Sequence, residues 1–247
     1  MPADLPLWFS GLVLAIAIVS GATASVVGFG IGSLLTPVFA LRFGMDAAIA
    51  AVALPHFAGS LLRGWRLRRS VDRSVLLRFG VLSAAGGLAG ALLYSRLAPL
   101  ALTRTLGALL LLTATAGLSG WSQRWKPTGA FVWLLGGLSG FFGGVVGNQG
   151  GLRAAALSAF GLAPAAFVAT STVIGVIVDV VRTPLYLLDA GPQLSEHWAI
   201  TGFAIAGVLA GTLAGERLLF GLSRERFRLL VSLAIGCLGL WFLFAAG

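Results

Sequence analysis

Residues 143–162 read "GGVVGNQGGLRAAALSAFGL", and this stretch decides the fold because an earlier one matches it. "GFGIGSLLTPVFALRFG", Gly28 to Gly44, aligns with "VVGNQGGLRAAALSAFG", Val145 to Gly161, setting Gly30 opposite Gly147 and Gly44 opposite Gly161. A second pair lies further on. "GGLAGALLYSRL", Gly86 to Leu97, and "GVLAGTLAGERL", Gly207 to Leu218, keep Gly, Leu, Ala, Gly, Leu, Arg and Leu in step. The chain therefore reads as two copies of one pattern in a single transmembrane domain, repeat one over 1–125 and repeat two over 126–247, and such a repeat constrains the whole architecture.

The 247 residues are 58% hydrophobic and 10% charged, with a mean hydropathy of +0.97. A water-soluble globule could not cover itself with so few polar side chains, so the chain is an integral membrane protein. Its apolar segments run 7–28, 31–44, 46–62, 79–97, 105–120, 129–147, 151–163, 165–182, 198–215 and 228–246. Several approach the roughly 20 residues that cross a bilayer core. They lack the alternation of barrel strands, so they must be helices. The first segment follows Met-Pro-Ala-Asp-Leu-Pro with no positive run before it, which argues against a cleaved signal peptide.

A formal charge of +9 invites nucleic acid until the arginines are placed against the membrane. Arg63, Arg66, Arg68, Arg69, Arg73 and Arg78 follow the third segment, and the positive-inside rule puts that loop in the cytoplasm. Threading from it places both termini outside. It also places the 122–127 turn with Arg124 and Lys126, and the loop with Arg217, Arg224, Arg226 and Arg228, inside. The other loops take Arg42, Arg96, Arg104 and Arg182 with Asp46, Asp189 and Glu196, and Thr183 to His197 reads as an acidic external loop. Arg153 is the one basic residue that topology leaves unexplained.

The matching segments 46–62 and 165–182 are followed by loops of opposite character, so the repeats have inverted topology. Segments 31–44 and 151–163 would be about 20 Å long as helices, too short for an upright span. The predicted fold is an all-α polytopic membrane protein of 8–10 membrane segments. Each inverted repeat has about three full transmembrane helices plus a glycine-interrupted hairpin or broken helix. Short broken helices at matching positions point to a secondary transporter whose substrate sits near the midplane. Gly28, Gly30, Gly32, Gly147, Gly150 and Gly151 would bring backbone N–H groups to an anion, or serve close helix packing.

These glycine-rich turns and short helices resemble the TauE/SafE family of sulfite and organosulfonate exporters. Also similar are Thr36-Pro37, the run from Ala53 to Gly80 and "ATST" at Ala169 to Thr172. The resemblance covers nearly the whole chain and implies a transporter of small sulfur-containing anions with both turns lining the site. The chain departs from the family pattern in the second turn. Asn148 and Gln149 stand there, Arg153 follows, and Ala154 takes the place of Pro37.

Candidate ligands follow from chemistry. Arg153, in the first turn of its short helix, could bind an anion with its guanidinium fork and the N–H groups of Gly150 to Leu152, or it could snorkel or pair with an acid. Thr36 is read as its counterpart. Asn148 and Gln149 could donate amide hydrogens or cap the helix. Thr170, Ser171 and Thr172 could bind, or bond their own helix backbone. His56, after Pro55, and Asp179 are the candidates for proton coupling. For Asp179, an i,i+3 pair with Arg182 near the outer helix end is the other account. The arginine-rich loop could meet anionic headgroups or simply set topology.

No enzyme motif, metal-ligand set or cofactor site is apparent, and the lone Cys237 cannot form an internal disulfide. The reading is therefore a secondary carrier of small anions, its expected partners such an anion and the lipid bilayer of the inner (plasma) membrane, with no nucleic acid and a homodimer left open. A passive anion channel or a non-transporting membrane assembly factor is the alternative.

Overall fold

The computed structural model describes residues 6–120, 124, 127–218 and 224–244. The helices are α1 (Leu7–Val27), α2 (Ile31–Phe43), α3 (Met45–Leu67), α4 (Arg73–Tyr94) and α5 (Pro99–Ser119), then α6 (Ala130–Val146), α7 (Gly150–Leu157), α8 (Pro164–Glu196), α9 (Trp198–Leu218) and α10 (Arg224–Phe244). Among the described residues, 6 helices are long and apolar enough to cross a membrane. Large apolar side chains such as Leu92, Leu134, Phe203 and Leu213 stand exposed on the outside, as lipid requires. The protein is an all-helical, multi-pass membrane protein.

Glycine ends the first helix of each half. Gly28 (φ 88) and Gly147 (φ 72) adopt the left-handed conformation, which a side chain disfavours, and return their N–H groups to Ala24 and Gly143. Residues 28–30 and 147–149 then reverse the chain into α2 and α7. Phe9 at the start of α1 meets Phe43 at the end of α2, rings 5.7 Å apart, and Trp133 in α6 meets Phe160 beyond α7 at 5.7 Å. Each pair is thus a helical hairpin.

The hairpins open at opposite ends of the bundle. Asp72, just past α3, donates its N–H to Thr170 Oγ1 near the start of α8 at 2.9 Å, while His197, just past α8, lies 4.1 Å from the Phe43 ring just before α3. Helices α3 and α8 therefore run antiparallel through the middle. Around them α4 packs on α6 and α1 on α9, both through glycine. A Cβ on Gly90 would lie 2.9 Å from the Phe141 carbonyl carbon, and one on Gly207 would lie 3.0 Å from the Leu14 oxygen. Small residues let these backbones approach where lipid supplies no hydrophobic drive for association. The outer pair is α5 with α10.

Several loop assignments need correction. Residues 183–196 are not an external loop; α8 continues to Glu196, because Leu185, Tyr186, Leu187 and Leu188 extend its apolar pattern past Arg182. The arginine-rich segment is mostly two helix ends. Asp72 caps α4 by accepting from Val75 N at 2.9 Å, which starts that helix at Arg73, well before residue 79. Arg63 and Arg182 are not loop residues either; both are buried within helices, so Arg153 is not the single arginine inside the bundle. Residues 122, 123, 125 and 126 of the turn, Lys126 among them, and the link at 219–223 lie outside the described residues.

Candidate functional site

The tips of the two hairpins touch. Gly32 lies so close to the Gly147 carbonyl that any Cβ there would overlap it, and Gly150 is held against the Phe29 side chain. Ser33 Oγ donates to Asn148 Oδ1 at 3.2 Å, and Ser171 Oγ donates to Gly28 O at 3.5 Å. Between the tips and the α3–α8 crossing lies a small pocket with room for about one water.

Of the residues singled out in the sequence, Gly30, Gly32, Asn148, Gln149, Gly150 and Arg153 line this pocket, and so do Gly28, Gly147 and Thr172. His56 lines it too. Gly151, Thr36, Thr170 and Ser171 stand outside its wall. Gly151 packs on Thr113, Thr36 is buried behind the Gly147 turn, Thr170 accepts from Asp72, and Ser171 binds the Gly28 carbonyl. Sequence reasoning missed Arg63, Ser33 and Ser60 as pocket residues.

Arg153 is 3% exposed; Nη1 donates to Ser171 O at 2.7 Å, while Nε and Nη2 make no hydrogen bond to the protein. Arg63 is 4% exposed; Nε donates to Thr172 Oγ1 at 2.8 Å and Nη2 to Ser60 Oγ at 3.4 Å, leaving Nη1 without a protein partner. The amide nitrogens Asn148 Nδ2 and Gln149 Nε2 are also unpartnered, as is Gln149 Oε1. Buried N–H groups rarely go unpaired, because each loses its hydration. Here four side chains leave donors unpaired around one space.

Behind the pocket lies an ion cluster. His56 Nδ1 is 2.6 Å from Asp179 Oδ2, and Arg182 holds Asp179 Oδ1 from Nε at 2.9 Å and from Nη2 at 2.7 Å. The i,i+3 pair read from the sequence forms, but midway along α8 rather than at its outer end. Arg182 Nη1 also donates to Gly143 O, and the Tyr186 hydroxyl to Gly144 O, tying α8 to the last turn of α6. Among the described buried residues, three arginines face one aspartate, a surplus of two positive charges when His56 is neutral.

A polar stripe in each central helix could have revealed Arg63. His56, Ser60 and Arg63 fall at i, i+4 and i+7 on α3, and Thr172, Asp179, Arg182 and Tyr186 share a face of α8. One sequence distance separates Gly28 from Gly147, Ile31 from Gly150, Met45 from Pro164 and Arg63 from Arg182, so Gly28, and not Gly30, stands opposite Gly147. In that register Ser60 stands where the other half has Asp179, and Leu34, rather than Thr36, where it has Arg153.

The sequence matches the family described as Sulfite exporter TauE/SafE over residues 13–242. No curated protein and no solved structure matches it. With a match spanning nearly its whole length, the chain belongs to the TauE/SafE sulfite exporter family, a family of membrane transporters.

Proposed function

We propose that the protein is a secondary carrier of small sulfur oxyanions or organosulfonates, bound between the two hairpin tips by Arg63, Arg153 and the amides of Asn148 and Gln149. The observation that carries this reading is the surplus of buried positive charge whose N–H donors find no protein partner around one pocket. A tetrahedral or pyramidal oxyanion presents several acceptor oxygens to such donors, and charge-assisted bonds to guanidinium are among the strong ones. Gly30, Gly32 and Gly150 let backbone approach the anion at the tips.

The two halves act as inverted repeats. Supporting this are the equal spacings above, the hairpins that open at opposite ends, and the matched packing of α1 with α9 and α4 with α6. Each repeat carries one arginine at the level of the crossing, but only Arg182 has a carboxylate three residues before it. Ser60 in that place leaves Arg63 for substrate. Alternating access would move one hairpin tip against the other while the central crossing stays. Both termini would then lie outside the inner membrane, a reading that the exposed Arg66, Arg68 and Arg69 near Trp65 support.

Proteoliposomes loaded with radiolabelled sulfite test the function. A carrier gives saturable efflux that external unlabelled sulfite accelerates by exchange. A channel gives efflux proportional to concentration without exchange, and an assembly factor gives none; either result would overturn the proposal.

A further inference from the structure

The wall of the pocket formed by α3 and α8 carries a titratable pair that anion binding alone does not use. His56 of α3 is bonded through Nδ1 to Asp179 of α8, and Asp179 is bonded to Arg182, which with Tyr186 grips the Gly143 and Gly144 carbonyls at the end of α6. Those contacts link the pair to the helix that leads into the Asn148–Gln149 turn. The pair meets the pocket at His56, whose side chain is 12% exposed and lines it, while the Asp179 side chain is 0% exposed.

Resting on the anion-carrier reading, we propose that His56, braced by Asp179, is a proton-binding site loaded together with the anion, so that proton and anion are carried as one cargo. With Nδ1–H donated to Asp179, Nε2 is the nitrogen that takes a proton from water, giving an imidazolium, and it returns that proton to water when the cargo leaves. No other bond is made or broken. The groups around the imidazole fix the sign. A carboxylate bonded to the ring favours its charged form and guanidinium groups nearby oppose it: Asp179 of α8 is bonded to His56 and to Arg182 of α8, and Arg153 of α7 and Arg63 of α3 line the same pocket as His56.

An anion between Arg63 and Arg153 offsets that opposition. A Cβ on Gly175 would lie 2.9 Å from Arg153 Nη1 and 3.9 Å from His56 Cε1, so guanidinium and imidazole stand within about 7 Å of each other. At such a separation and an effective dielectric near 20, one negative charge favours the imidazolium about fiftyfold. Linkage is reciprocal, so protonation strengthens anion binding by the same factor.

Calorimetric titration of the purified full chain with sulfate and with methanesulfonate, which keep their charge from about pH 6 to 8, reads the protons taken up when repeated in buffers of different ionisation enthalpy. The wild type is expected to take up as much as one proton per anion, with affinity rising about fiftyfold toward acid pH; His56→Gln is expected to take up none and to lose the pH dependence. Anion binding without proton uptake in the wild type, or uptake preserved in His56→Gln, overturns the proposal. Should the variant fail to fold, histidine-labelled wild-type protein decides by NMR. The chain has 2 histidines, and one is expected to become imidazolium on anion addition; no change in either overturns the proposal. Absence of any anion binding to the wild type is a different result, and it contradicts the carrier reading itself.

Discussion

Arg153→Met separates a binding role from a structural one, because the two make opposite demands on stability. The substitution keeps an unbranched apolar stem and removes the guanidinium. One bond is lost, from Nη1 to Ser171 O at 2.7 Å, a charge-assisted contact of about 1.5–3 kcal/mol. Against it stands the desolvation of a cation that is 3% exposed with Nε and Nη2 unpartnered, a penalty of roughly several kcal/mol. The anion-free variant is therefore expected to match the wild type or exceed its stability by up to about 2 kcal/mol. Anion binding moves the other way. Losing charge-assisted bonds from both Nε and Nη2, at about 1.5–3 kcal/mol each, weakens binding by roughly a hundredfold to ten-thousandfold. Thermal unfolding followed by tryptophan fluorescence in detergent, with and without sulfite, reads both effects. A variant that unfolds earlier without anion yet keeps the full wild-type stabilisation by sulfite would refute the reasoning and make Arg153 a helix tie.

Other perturbations probe the frame around the site. Asp179→Asn leaves Arg182 and His56 without their buried counter-ion and is expected to destabilise the fold by about 3–5 kcal/mol, seen as a lower unfolding temperature. Gly90→Ala sets a methyl 3.0 Å from Val145 N in the α4–α6 contact and is expected to lose about 1–3 kcal/mol. Gly11→Ala, with nothing within 4 Å, is expected to gain about 0.5–1 kcal/mol in the same assay. In a Cys237→Ala background, a membrane-impermeant thiol reagent added to whole cells is expected to label Trp8→Cys but not Arg69→Cys; the reverse pattern inverts the orientation.

Much of the fold was legible in the sequence because membrane helices announce themselves by apolar length, and glycine marks where they stop. The two short helices begin just past the glycine-rich turns, since Gly28 and Gly147 have a conformational task that no other residue performs as cheaply. The fate of arginines was harder to read. The positive-inside rule counts charges near helix ends and does not resolve depth, so it groups Arg63, one turn before Arg66, with the exposed cluster although its position on the helix turns it inward. Ending the helix at Arg182 misreads that charge, because Asp179 three residues earlier makes it tolerable inside. The pairing of His56 with Asp179 joins residues from different halves, which no local pattern displays. Thr36, Thr170 and Ser171 illustrate the converse: proximity to a turn in sequence does not decide which wall a side chain joins.

Equilibrium binding of sulfite to the purified protein tests the central claim most directly. One anion per chain is expected, displaced by sulfonates and lost in both Arg63→Met and Arg153→Met. Sulfite binding of equal strength in the wild type and in both variants would contradict it.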